Sequence, residues 1–265
     1  MRILIRTSRL AIWARRLGSF ALPLAVIPIP LHRAALVNSD TFILIETLAM
    51  GFAGAALLIG LSALVRLWIT GDRGWNRAIT GVFLGAVCLS PVFYGSYMAT
   101  RYPLAVDVST AAATIELEEA TPQVSDNMAS REEILAAFPD VRARNYALGV
   151  NETFRVIDGL VQQRGWQIIR RDPPDLETAD GQINAIDTTL LGWRDEVAIA
   201  VAGSFAATQV QMRSASVAAH GGDLGQNGRR IEAFLGDLDA AILADAYKAP
   251  AAGAPPVPAF SNSVR

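Results

Sequence analysis

The chain has few of the residues from which metal and redox centres are built. Of its 265 residues one is cysteine and two are histidine. A single cysteine, Cys88, excludes an intrachain disulfide and any cysteine-based metal set, and its apolar surroundings read it as a small buried hydrophobe. The histidines, His32 and His220, stand far apart, and His220 sits in a glycine-rich connection with no base or metal ligand close in sequence. Acidic residues are scarce before residue 100, where Asp40, Glu46 and Asp72 are outnumbered by arginines. The net charge of -2 therefore averages two unlike halves and supplies no basic face for a nucleic acid. A nucleophile elbow, a phosphate loop and a dinucleotide fingerprint are all missing. Nothing in the sequence implies a cofactor or a metal.

What the chain has in excess is apolar sequence. The apolar fraction is 52% and the mean hydropathy +0.31, above the usual globular range, and the surplus lies in the first hundred residues. Three stretches stand out, at about 17–37, 42–69 and 78–98. A spanning helix needs about 20 apolar residues, which the second and third satisfy outright. The first is interrupted by Pro23, Pro28 and Pro30; it is expected to span, a cleaved signal peptide being the rival reading although no small-residue cleavage site follows it. Arg2, Arg6, Arg9, Arg15 and Arg16 precede the first segment, and Arg66, Arg73 and Arg77 bracket the loop between the second and third. The positive-inside rule then puts the amino terminus in the cytoplasm and everything after residue 98 outside. The expectation is a membrane protein whose carboxy-terminal domain lies on the side away from the cytoplasm. Small residues in the second segment, Gly51, Gly54, Ala55 and Gly60 with Ala53 and Ala56 between them, are expected to face a neighbouring helix.

After residue 100 the pattern becomes that of a water-soluble α+β domain. Residues 100–130 read as an irregular tether or wrapping arm, 131–248 as the domain, and the Ala/Pro-rich 249–265 as a disordered tail. A helix over 151–163 precedes a strand beginning at Trp166, a second strand over 182–188, and two alternating runs joined at Gly203-Ser204. A two-residue turn with glycine first predicts a tight hairpin, Val197 opposite Val210 and Ile199 opposite Thr208. A last helix over about 223–247 carries a stripe of Leu224, Ile231, Phe234, Leu235, Leu238 and Ile242, with Asp223 as its N-cap. The sum is a four-stranded antiparallel sheet covered by two helices.

At these elements the sequence resembles a known family. Arg213-Ser214-Ala215-Ser216, then Gly222-Asp223-Leu224-Gly225, Asn227, Arg230-Ile231 and Phe234-Leu235 are similar to the carboxy-terminal signature of domain-of-unknown-function family 1499. Tyr102-Pro103, Asp107-Val108-Ser109-Thr110, Trp166, Asp187-Thr188-Thr189 and Arg194-Asp195-Glu196-Val197 resemble its other recurring pieces. The resemblance covers about 100–245, and the membrane-spanning start is similar to some bacterial members, which implies a bacterial inner (cytoplasmic) membrane protein with a periplasmic carboxy-terminal domain. Glu196 stands where a second Asp is common, and small residues separate Ser216 from Asp223 where a basic residue is usual. The family has no settled activity, so the resemblance implies a fold and not a reaction.

Period-2 and period-3.6 patterns together place polar residues inside. Asp195 shares a face with Val197 and Ile199; Ser214 and Ser216 share one with Val210 and Met212; Asn227 falls in the helix stripe. One reading is a hydrogen-bonded cluster that locks helix to sheet. The other is a ligand site of Asp195, Arg213, Ser214, Ser216, Asp223, Asn227 and Arg230, an anion or polar group held at the helix N-terminus. Arg213 is also expected as a surface ion pair with Glu196. The function expected is a membrane-anchored envelope protein whose domain binds a partner protein, a lipid or a cell-wall component. A hydrolase using Asp195 or Asp223 with Ser214 or Ser216 is the alternative.

Overall fold

The computed structural model describes residues 7–103, 105–110, 115–121, 129–175, 179–218 and 223–248; His220 and the tail expected to be disordered lie outside the described residues. The chain starts as α1 (Arg9–Val26), α2 (Pro28–Arg33), α3 (Ser39–Thr70) and α4 (Trp75–Arg101). Three helical stretches, Arg9–Arg33, Ser39–Thr70 and Trp75–Arg101, are long and apolar enough to cross a membrane. Ser8 caps α1 by accepting from the Ala11 amide, so the helix takes in the basic residues ahead of the apolar run. Pro28 lacks an N–H and opens the short α2. Asn38 caps α3 through the Thr41 amide, and left-handed Gly71 (φ 67°) ends it.

These helices pack through small residues. Ala14 and Gly18 of α1, Ala49, Ala53, Ala56 and Gly60 of α3, and Gly81 and Gly85 of α4 are buried, whereas Leu58, Trp68 and Phe83 are exposed. Of the small residues expected at a helix contact, Ala53, Ala56 and Gly60 are buried in it, joined by Ala49 on the 3.6-residue period, whereas Gly51 and Gly54 face open space.

The domain follows as β1 (Asp107–Ser109), α5 (Arg131–Ala137), β2 (Arg144–Tyr146), α6 (Val150–Gln163), β3 (Gln167–Asp172), β4 (Asp180–Thr188), β5 (Arg194–Gly203), β6 (Thr208–Ser216) and α7 (Gln226–Lys248). The sheet has six strands and not four: the meander β3 to β6 is joined by β1 and β2, which share the free edge of β6 end to end, all antiparallel. Ile157 and Val161 of α6 and Ile231, Phe234, Leu235 and Leu238 of α7 meet Ile183, Val197, Ile199, Val210 and Met212 of the sheet in one core.

The β5–β6 hairpin differs from expectation in register. Val197 faces Ser214 and Ile199 faces Met212, with Ser204–Ala207 as a four-residue loop. The Ser204 hydroxyl accepts from the Ala206 and Ala207 amides, and its own amide bonds Ala207 O, so serine closes a longer turn than a Gly-Ser pair would. The shift is even, and every side chain keeps the face expected of it. On the other face Glu196 is fully buried as well. Residues 118–120 lie across it: its carboxylate accepts the amides of Glu118, Glu119 and Ala120 at 2.7–2.8 Å and the Asn184 side chain at 2.8 Å. Burial pushes the Glu196 pKa up, but the Ala120 amide, Asn184 and the other two amides outweigh it and hold the group below its ordinary value.

Candidate functional site

Antiparallel pairing sets Asp187 of β4 opposite Asp195 of β5, and Asp195 opposite Ser216 of β6. Three adjacent strands thus present carboxylate, carboxylate and hydroxyl in a row. Like charges directly opposed on a sheet repel. Arg230 of α7 resolves the conflict: Nε donates to Asp187 Oδ2 at 2.8 Å and Nη2 to Asp195 Oδ2 at 2.6 Å. Its Nη1 donates to Ser214 Oγ at 2.9 Å and to Asn227 Oδ1 at 2.6 Å. The Arg230 and Asp195 side chains are each only 5% exposed. Asn227 lies one helical turn before Arg230, so both reach the same strand ends. Its amide donates to Val106 O at 3.2 Å and Ser216 Oγ at 3.3 Å, and its Oδ1 accepts from Ser214 Oγ at 2.8 Å. Helix and sheet are locked by a network in which each buried donor has an acceptor.

The start of α7 departs from expectation. Leu224 (φ 54°) and Gly225 (φ 77°) are left-handed, and the helix begins at Gln226 rather than Asp223. The Asp223 carboxylate still accepts the Gly225 amide at 2.9 Å and the Asn227 amide at 2.5 Å. Burial raises the Asp223 pKa, and those two donors bring it only part of the way back. Leu224, expected in the buried stripe, lies before the helix and is 40% exposed.

Six of the seven candidate residues therefore meet: Asp195, Ser214, Ser216, Asp223, Asn227 and Arg230. Arg213 does not. It stands on the opposite sheet face, bonded to both Asp107 oxygens at 2.9 and 2.7 Å and to Ile115 O at 2.6 Å. Its ion pair is with Asp107 and not Glu196, whose acceptors are taken by the arm. An anion at the α7 N-terminus would compete with Asp223 for the Gly225 and Asn227 amides, and Arg230 is already engaged by two carboxylates. The hydrolase arrangement needs a base bonded to a serine hydroxyl. Among the described residues neither Ser214 nor Ser216 bonds a carboxylate or an imidazole.

The edge of the network opens into a cleft of about 600 Å³ between domain and bundle. Arg194, Asp195, Ser216 and Asp223 stand on its polar side; Leu191, Trp193, Val217 and Leu224 of the domain and Val37 of the α2–α3 turn form its apolar one. His32 and Arg33, which fall within the first apolar stretch of the sequence, hold this junction together. His32 Nδ1 donates to Leu191 O at 2.6 Å, the carbonyl being able only to accept, and Nε2 meets Ser39 Oγ at 3.2 Å. The ring stacks on Phe42 (4.5 Å) and meets Trp193 edge-on (4.9 Å). Arg33 donates to Thr189 O at 2.5 Å. Gly192 (φ 90°) permits the approach, since a Cβ there would lie 2.8 Å from Arg33 Cα and from His32 Nδ1.

Residues 109–238 match the family DUF1499, described as a protein of unknown function. They form a DUF1499 domain. No curated protein and no solved structure matches the chain. All side chains of the locked network belong to the DUF1499 domain; Val106 O and the clamp residues His32 and Arg33 lie outside it. The cleft is thus shared between the DUF1499 domain and the helices that precede it.

Proposed function

We propose that this protein is a membrane-anchored binding protein whose DUF1499 domain, on the extracytoplasmic side of a bacterial cytoplasmic membrane, holds a lipid in the junction cleft. One observation carries the reading: the cleft is walled jointly by the domain and by the turn at which the apolar helices end. A bilayer around those helices would put its headgroup layer at this level. Apolar side chains on one wall and carboxylates on the other suit an amphiphile. Of the charged lining residues Asp195 pairs with Arg230 and Arg194 with Glu119, which leaves the Asp223 carboxylate without a cation partner among the described residues and favours a head bearing an amine or hydroxyls over a purely anionic one. The arginine asymmetry supports the orientation.

Photoactivatable phosphatidylethanolamine, added to the full chain in bilayers, tests this. Cross-links are expected on residues 35–39 and 189–193, and they should fade when excess unlabelled phosphatidylethanolamine is added. Cross-links spread evenly along the outer faces of α3 and α4, with none in the cleft, would overturn it.

A further inference from the structure

The opposite end of the helical bundle carries a second, differently charged cleft. Ala14 of α1 and Gly81 of α4 touch so closely that a Cβ on Gly81 would sit 2.5 Å from the Ala14 carbonyl carbon. Arg15 and Arg16 follow Ala14, and Arg77 precedes Gly81 by one turn, so this contact gathers three guanidinium groups. With Ile12, Ser19 and Phe20 they line a cleft of about 580 Å³. Among the described residues none of the three arginines pairs with a carboxylate; Arg16 lies 5.6 Å over the Trp13 ring. Trp68 and Trp75, 6.4 Å apart at the α3–α4 turn, are exposed at the same end as Trp13, where Thr7 pairs with Arg73. Exposed tryptophans at helix ends mark the headgroup level of a bilayer.

We infer that Arg15, Arg16 and Arg77 form a binding site for the phosphate of an anionic phospholipid. Guanidinium forks match phosphate oxygens, a basic pocket between spanning helices is suited to an acidic headgroup, and Ile12 and Phe20 continue the cleft with apolar surface for an acyl chain. The site rests on the same membrane anchoring as the proposed function, and not on the junction cleft.

The test uses the full chain purified in mild detergent from vesicles of phosphatidylglycerol and phosphatidylcholine, with retained lipid counted by native mass spectrometry. Phosphatidylglycerol should be retained in preference. Replacing all three arginines with glutamine should reduce that preference at least about tenfold. Should that variant fail to insert, Arg77→Gln alone should lower it about fivefold. Arg66→Gln with Arg73→Gln, at the same end and outside the cleft, should leave it unchanged. An equal loss in that control, no preference in the wild type, or displacement of the lipid by millimolar inorganic phosphate would each overturn the inference. Release of the chain from membranes by alkaline carbonate would remove the anchoring itself; a carbonate-resistant chain lacking the preference would sink this site alone.

Discussion

In the helical bundle most buried positions are small, such as Ala14, Ala53, Gly60 and Gly81, with Phe42 and Leu67 as large exceptions, while Leu58, Trp68 and Phe83 face outward. In the DUF1499 domain Ile199, Phe234 and Leu238 are inside, together with Asp195, Glu196 and Arg230. The solvent explains the inversion. Lipid accommodates large apolar side chains, so helices in it gain by letting backbones approach closely. Water expels them, and a core that must exclude water can enclose charge only where each charge is met.

The largest expected effect comes from uncovering that charge. Arg230→Met leaves Asp187 and Asp195 opposed on adjacent strands. Loss of one partner of a buried pair costs about 3–5 kcal/mol, so the domain transition of the full chain in detergent should move down sharply while the bundle stays helical. An unchanged midpoint would erase the contrast between the two regions.

A medium effect is expected from the bundle. Gly81→Leu forces a side chain into the Ala14 backbone, and overpacking costs roughly 1–3 kcal/mol. Cross-linking between cysteines placed in α1 and α4 should fall, with the domain midpoint unmoved. If both regions lost stability together, bundle and domain would be a single cooperative unit.

The smallest effect sharpens the comparison through pH. The folded Glu196 pKa lies below its ordinary 4.5, so its contribution to stability is complete above 4.5 and is lost as pH falls through the folded value. Asp223 acts oppositely. Its folded pKa lies above the ordinary 3.8, so it favours folding most in acid and loses that contribution as pH rises through the folded value. Glu196→Gln should therefore flatten the acid side of the stability profile, measured as the unfolding midpoint from pH 6 downward. An acid limb as steep as in the wild type would deny the carboxylate its role under the arm.

The apolar helices, the β3–β6 meander and the α7 stripe from Ile231 to Leu238 were legible because each is long and periodic. Strands β1 and β2 were not, since three residues carry no period. The hairpin register escaped for a related reason: alternation repeats every two residues and cannot distinguish pairings that differ by four. Leu224 was misplaced because the stripe was extended into left-handed backbone, where helical spacing no longer holds. Within the candidate site the inward polar residues were legible from face and phase. Asp187 was not, as its place beside Asp195 depends on the β4–β5 register. The burial of Glu196 depends on residues 118–120 folding back over it, and nothing local in the sequence encodes that. His32 and Arg33 were invisible as clamp residues because their partners lie more than 150 positions away.

The grip of His32 and Arg33 on the β4–β5 loop has a mechanical side. The domain is already joined to the bundle covalently where α4 runs into β1, and a body hung from one point can swivel freely. The attachment at Gly192, with Leu224 against Gly95 and Arg229 at Met98 of α4, opposes that swivel. A pull on the distal β5–β6 tip, where Phe205 projects into solvent, would act along the stiff strands as on a lever. Its load would arrive at the α2–α3 turn, and the sheet would serve as a rod fixed at the membrane end.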